Sequence, residues 1–395
     1  AGSQWINTDD LVVGVFGSGT LSITGGGKVQ NEDGTVGFTS FSTGAVVVDG
    51  AGSQWINTDG LFVGNLGSGT LNVTGGGSVS SNGGNIGAAS GSDGMATITG
   101  GAWTMTGQLS VGGLGSTPGG PGTLNIQPAG TVSAALGVVL FPDAHVNLQG
   151  GTLDASAISY HQGIQGSQFQ WTSGTLHVGT FNGNLTNSGG ALAPGHSAGS
   201  TTINGNYIQV TGGVLEIEIG GPLAVFHFDF VNVTTIALLG GELDLTLTSG
   251  FLPTAGQTYA ILIAGNLSGA FDNAASGQRV TTTDGGGSFL VNYGFGSPFD
   301  DNQVILSAFL PSVSGDFDLD GDVDGRDFLA WQRGESPNGT PGGPVSAGDL
   351  TDWQANYGFP PLTAASTAVP EPMGLVLGLM GLVILCRPIS RHDFR

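Results

Sequence analysis

The residues of this chain best suited to chemistry lie between Gly315 and Asp327, GDFDLDGDVDGRD. Asp316, Asp318 and Asp320 stand at loop positions 1, 3 and 5, Gly321 at 6, Asp322 at 7, Asp324 at 9 and Asp327 at 12. Alternate acidic residues on a tightly turned loop converge their oxygens on a hard cation, and Ca²⁺ takes roughly 6 to 8 such ligands. The spacing predicts one Ca²⁺, with the Asp322 carbonyl, a water-mediated Asp324 and a bidentate Asp327 in the ligand set. The competing reading is an Asp-rich solvated turn. The glycine at position 6 and the duplicated helix that follows weigh against it.

Phe328 to Arg333 reads as a helix that ends at Gly334, and a weaker copy follows 22 residues on, where VSAGDL from Val345 matches VDGRDF from Val323 and Trp353-Gln354 matches Trp331-Gln332. Asp rather than Glu at position 12, followed by a paired loop-helix plan, resembles the type I dockerin module, here over residues 315–358. The second copy has no Asp-x-Asp-x-Asp run, and the Pro- and Gly-rich connector Glu335 to Pro344 stands in its place. The resemblance therefore implies one ion instead of two, and a cohesin-like partner only if one half is enough to bind it.

Ahead of the loop the chain is built on repetition. AGSQWINTD at Ala1 recurs at Ala51, and LVVGVFGSGTLSITGGG matches LFVGNLGSGTLNVTGGG at the same 50-residue interval. Short alternating runs such as Thr20 to Thr24, each closed by glycines, read as half-buried strands. Strand-turn units about 25 residues apart predict one solenoid coil each, with apolar residues that only neighbouring coils can bury. Trp5, Trp55 and Trp103 hold equivalent places, which predicts rung-to-rung packing in preference to a sugar-binding aromatic ladder. The GSGTLxVTGGG units resemble autotransporter-type, passenger-associated β-strand repeats of bacterial surface proteins. That resemblance implies a right-handed parallel β-solenoid (β-helix) over residues 1–198, serving as stalk, adhesin or carrier, with no catalytic residue. Residues 199–310 carry longer, more apolar strands and read as the β-rich segment that closes the array.

Gly is 75 of 395 residues and charged residues are 9%, against roughly 7% and 25% in ordinary globular chains. The formal charge is −22 with 7 cations in all, which excludes a nucleic-acid-binding protein that neutralises phosphates with clustered Lys and Arg. The single cysteine, Cys386, excludes an internal disulfide framework. Glu216 and Glu218 lie two apart on one strand face, LEIEI, a pattern that paired glycosidase carboxylates could share but that reads more simply as a solvated face. His145, His161, His177, His196 and His227 are scattered, without the spacing of a metal or triad site.

After the linker 359–369 the chain ends in Val369-Pro370-Glu371-Pro372, an apolar run from Met373 to Cys386, and the basic residues Arg387, Arg391 and Arg395. This order over residues 370–395 resembles the PEP-CTERM sorting signal. It implies that an exosortase-type enzyme acts at Pro370 to Pro372, with the hydrophobic helix held in the membrane and flanked by the arginines. A 14-residue run is shorter than the roughly 20 residues a spanning helix needs, so a marginal span and a buried helix are both open. The chain begins without Met and inside a repeat, which reads as a fragment or processed chain with its export signal upstream.

Together these features predict an exported, non-enzymatic surface protein, with a mainly β solenoid, one Ca²⁺-bound module and a sorting tail. The alternative is a carbohydrate-active protein that binds or cleaves extracellular polysaccharide and is assembled through the dockerin-like module. Lyase chemistry on acidic sugars wants Arg or Lys near the substrate, and residues 1–314 hold only Lys28 and Arg279.

Overall fold

The computed structural model describes residues 2–166, 168–195, 198–317, 322–333 and 347–359. The chain divides into two units, Ala1–Ser312 and Val313–Arg395. The first is a parallel β-solenoid of about 10 turns. An early coil contributes three short strands, such as Gln54–Asn57, Leu61–Val63 and Ser68–Thr74, each pairing in parallel with its counterparts one coil before and after. Alternation in sequence becomes alternation in burial, so Leu71 and Val73 point inward while Asn72 stays half-buried on the outer face. Coil by coil, Val46, Leu71, Ala96 and Leu124 fall in one register column, and Val48, Val73, Ile98 and Ile126 in the next. These columns are the core, and no single coil could bury its own share.

The sequence period of 50 spans two coils because large and small residues alternate. Along one column the register runs Trp5, Val29, Trp55, Val79, Trp103, Val132; along another it runs Leu11, Gly34, Leu61, Gly84, Leu109. The bulk of a Trp/Leu coil fills room left by its Val/Gly neighbours. A Cβ on Gly34 would lie 2.2 Å from Asn57 Oδ1 and 2.8 Å from Trp55 Cζ2, and one on Gly84 would lie 2.8 Å from Trp103 Cζ2. The tryptophans therefore pack rung to rung on valines and under glycines, not on one another. Trp55 and Trp103 are fully buried, whereas Trp5 in the first coil is 51% exposed. The indole of Trp55 donates to Asn31 Oδ1 at 2.7 Å, and Asn31 Nδ2 donates to Asn57 Oδ1 at 2.8 Å, so the buried amides are satisfied across coils.

Parallel pairing continues past residue 199 through Ser200–Ile203, Val214–Ile219, Phe230–Leu239 and the later part of Tyr259–Gly269, from Leu262 on. The direction then reverses. Gln303–Pro311 pairs antiparallel with Tyr259–Gly269 and with Gly287–Asn292, which in turn pairs with Arg279–Thr281. Phe228, Tyr259, Phe289 and Phe309 form a chain of ring contacts beneath this turn-back. Strands that fold back on themselves occupy an edge that would otherwise be open to other chains.

The second unit contains two helices, α1 (Gly325–Gln332) and α2 (Ala347–Asn356). They begin at matching positions of the two sequence copies. Phe328 stacks on Trp331 with ring centroids 5.6 Å apart and meets Trp353 at a tilt, 5.0 Å away, and Trp353 meets Tyr357 edge-on at 5.0 Å. Among the described residues no helix is long and apolar enough to cross a membrane. Pro370, Glu371, Pro372, Arg387, Arg391, Arg395 and the apolar run lie outside the described residues.

Candidate metal centre

Helix α1 owes its start to the acidic loop. Asp324 is its N-cap, with a carboxylate that accepts from the Arg326 amide at 2.6 Å. Asp327 closes the capping box, since its Oδ2 accepts from the Asp324 amide at 2.6 Å. Its other oxygen accepts from the Phe317 amide at 2.6 Å, which ties the first limb of the loop to the helix. Asp327 is fully buried, and Asp316 is buried beside the same turn. From α2, Trp353 Nε1 donates to the Asp324 carbonyl at 2.7 Å, and Val323 exchanges backbone hydrogen bonds with Gly358 and Phe359. α2 and the residues after it thus hold the loop at Val323 and Asp324, where α1 begins.

Asp322, Asp324 and Asp327 each present a carboxylate oxygen, and these atoms all lie within 4.8 Å of one another. Two ligands of one Ca²⁺, each about 2.3 to 2.6 Å from the ion, are separated by no more than about 5 Å, a spacing the three carboxylates meet, whereas the sequence spacing assigns Asp322 through its carbonyl and Asp324 through a water. All three are hard oxygen donors. The amides on Asp327 use one lone pair of each carboxylate oxygen and leave the second for a cation. Asp316 is described and buried, whereas Asp318, Asp320 and Gly321 lie outside the described residues.

Coiling also assembles polar groups that the linear spacing hides. Asp154 is in direct register with Ser133 on one side and His177 on the other. Ser133 Oγ donates to Asp154 Oδ2 at 3.2 Å, and His177 Nδ1–H is within 3.0 Å of the Gly195 carbonyl oxygen. These four residues line a groove of about 410 Å³. In register Asp154 stands between Ser133 and His177, an order unlike the hydroxyl–imidazole–carboxylate relay, in which the imidazole is in the middle. The groove offers a polar cradle in its place. Of the other histidines, His161 stacks on Phe141 at 4.5 Å and His196 lies outside the described residues.

Glu216 and Glu218 share one face of Val214–Ile219, half-buried instead of fully solvated, with Glu216 opposite Asp244. Burial first, then the Asp244 charge, raises the Glu216 pKa, which His177 pulls back down and Glu218 pushes up. Nearby Asp229 is buried, and its carboxylate accepts from the amides of Gly199 and Glu218 at 2.7 and 2.9 Å. Burial lifts its pKa to about 6 against those two hydrogen bonds, with the Glu218 and Glu216 charges adding to the rise. A sequence period cannot reveal these neighbours, because strands 20 to 30 residues apart meet only once coil lengths are known. Compared with family models, curated proteins and solved structures, the chain matches none.

Proposed function

We propose that this chain is an exported, cell-envelope-anchored or surface-displayed structural or adhesive protein with no catalytic activity of its own. Its solenoid is the spacer, its second unit is a dockerin-like module holding one Ca²⁺, and its C-terminal residues are a PEP-CTERM-type sorting signal read by an exosortase-type enzyme. The observation that carries the reading is the convergence of Asp322, Asp324 and Asp327 at the start of a capped helix. Calcium at millimolar levels outside the cell suits extracellular modules with dissociation constants of roughly 10⁻⁴ to 10⁻³ M. A charge-poor, Gly-rich parallel coil suits display, and right-handed winding is the expected hand for such crossovers. A cohesin-like module or an extracellular polysaccharide is the partner this plan would take, and the apolar run after Pro372 would hold the precursor in the membrane.

Protease treatment of intact cells expressing the protein tests the display reading. The solenoid should be degraded or shed, and Pro370→Ala/Glu371→Ala/Pro372→Ala should leave an unprocessed, membrane-held form. Recovery of both proteins in the cytosolic fraction would refute it. A second reading, polysaccharide binding, draws on the groove formed by Ser133, Asp154, His177 and Gly195. Affinity electrophoresis on a panel of neutral and acidic polysaccharides, with Asp154→Ala as control, separates it from the first.

A further inference from the structure

In the early coils, the corner between the second and third strands alternates in length. It holds three residues after Gly14 and after Gly64, and five after Gly37 and after Gly87. The two long corners, GFTSFST and GAASGSD, are built alike. In each, a serine hydroxyl closes the turn: Ser42 Oγ accepts from the Thr39 amide at 3.1 Å and donates to its carbonyl at 2.7 Å, and Ser92 Oγ does the same to Ala89 at 3.3 and 2.7 Å. The residue before that serine is left-handed in both. In one corner it is Gly91, at φ +82°; in the other it is Phe41, at φ +69°. A bulky L residue is strained in that region, and the sister turn shows the same corner made with glycine.

No contact from the described residues compensates the strain, because Phe41 is 101% exposed. It is also not alone. Phe16, Phe41 and Leu66 each stand two residues before the register-paired residues Ser18, Thr43 and Ser68, and so occupy one corner of three successive coils. They are 91%, 101% and 43% exposed, with Val15 and Phe38 exposed beside them. Segments 11–27, 34–48 and 60–92 contain no Asp, Glu, Lys, Arg or His, although the chain carries −22 overall. Contiguous exposed apolar surface of this kind marks an interaction site.

We propose that this corner docks onto the same corner of a second copy of the chain. The absence of charge removes the like-charge repulsion that two such acidic molecules would meet over most other contacts. The ladder rises about 4.8 Å per coil, and another copy of the same ladder has the matching period. A two-fold axis through Phe41 sets Phe16 of each copy against Leu66 of the other and puts the strained ring at the centre, where binding energy concentrates. A bilayer with anionic headgroups would repel the chain.

Sedimentation velocity of the full chain over a dilution series, alongside Phe41→Gly and Phe16→Ser/Phe41→Gly, tests the proposal. Phe41→Gly installs the residue of the sister turn, so its melting temperature should equal or exceed that of the wild type, which keeps loss of association from being loss of fold. Wild-type chain should show a concentration-dependent dimer, weakened about tenfold or more in the single variant and further in the double. Wild-type monomer at every concentration, or variants that dimerise as tightly as wild type, would overturn it. So would monomeric wild type that co-sediments with phosphatidylcholine vesicles or an insoluble polysaccharide through Phe41, since the corner would then belong to that partner.

Discussion

The carboxylate of Asp229 is held between the amides of Gly199 and Glu218 in a buried position, with its pKa raised from 3.8 to about 6. Because the folded pKa exceeds the unfolded one, the native state binds the extra proton between these values. The stability tied to Asp229 is therefore fully present below pH 3.8 and is lost as pH rises through about 6. The full shift corresponds to at most about 3 kcal/mol. Asp229→Asn cannot titrate, and it leaves one of the two amides without an acceptor, which costs about 1 to 3 kcal/mol at any pH. Thermal unfolding at pH 4 and pH 7 should therefore show a less stable variant whose deficit narrows as pH rises. A deficit that does not change with pH would mean that Asp229 carries no proton-linked stability. Burial and like charge also raise Asp33, whose contribution to the slope has the same sign and cancels in the difference between variant and wild type, whereas Glu216, which is coupled to Asp229, does not cancel.

At the scale of the coil, the pairing of Trp55 with Gly34 makes the repeat two coils long. Gly34→Ala forces a methyl group into the Asn57 amide and the Trp55 ring and should cost about 1 to 3 kcal/mol. Trp55→Ala removes the ring and leaves Asn31 without its indole donor, for about 3 to 5 kcal/mol. Trp5→Ala, at an exposed site, should cost far less. Hydrogen exchange should place the lost protection in the strands flanking Trp55, since coils interact with nearest neighbours. Protection lost evenly along the solenoid would contradict that picture. The 25-residue coil was legible in the sequence because inward residues alternate within each strand, and the clustering of Asp322, Asp324 and Asp327 was legible because these carboxylates are close in sequence. The Trp–Val alternation was not, because equivalence across 50 residues hides the intervening coil. The groove at His177 was not legible either. Its members come from strands whose coil lengths vary after the Thr117 to Pro121 insertion, and only the register of Ala144–Tyr160 against Phe169–Asn182 sets Asp154 beside His177.

At the scale of the molecule, two units with different bases of stability share one chain. The solenoid rests on buried apolar columns. The second unit is small, with a loop that gathers Asp322, Asp324 and Asp327 at the start of α1. Clustered carboxylates repel unless a cation or proton intervenes, so folding and metal binding should be linked there. Differential scanning calorimetry of the full chain should resolve a transition that calcium moves and a transition that it leaves in place. At 100-fold excess over the dissociation constant the gain is about 2.7 kcal/mol, which for so small a unit raises its melting temperature by roughly 10 °C or more. Asp322→Ala should abolish the shift while preserving the capping box of α1. Asp327→Ala should lower that transition with or without calcium, because it also strips the acceptors from Phe317 and Asp324. Identical traces in calcium and in chelator would remove the metal from the account of this unit and leave Asp327 as a helix cap alone.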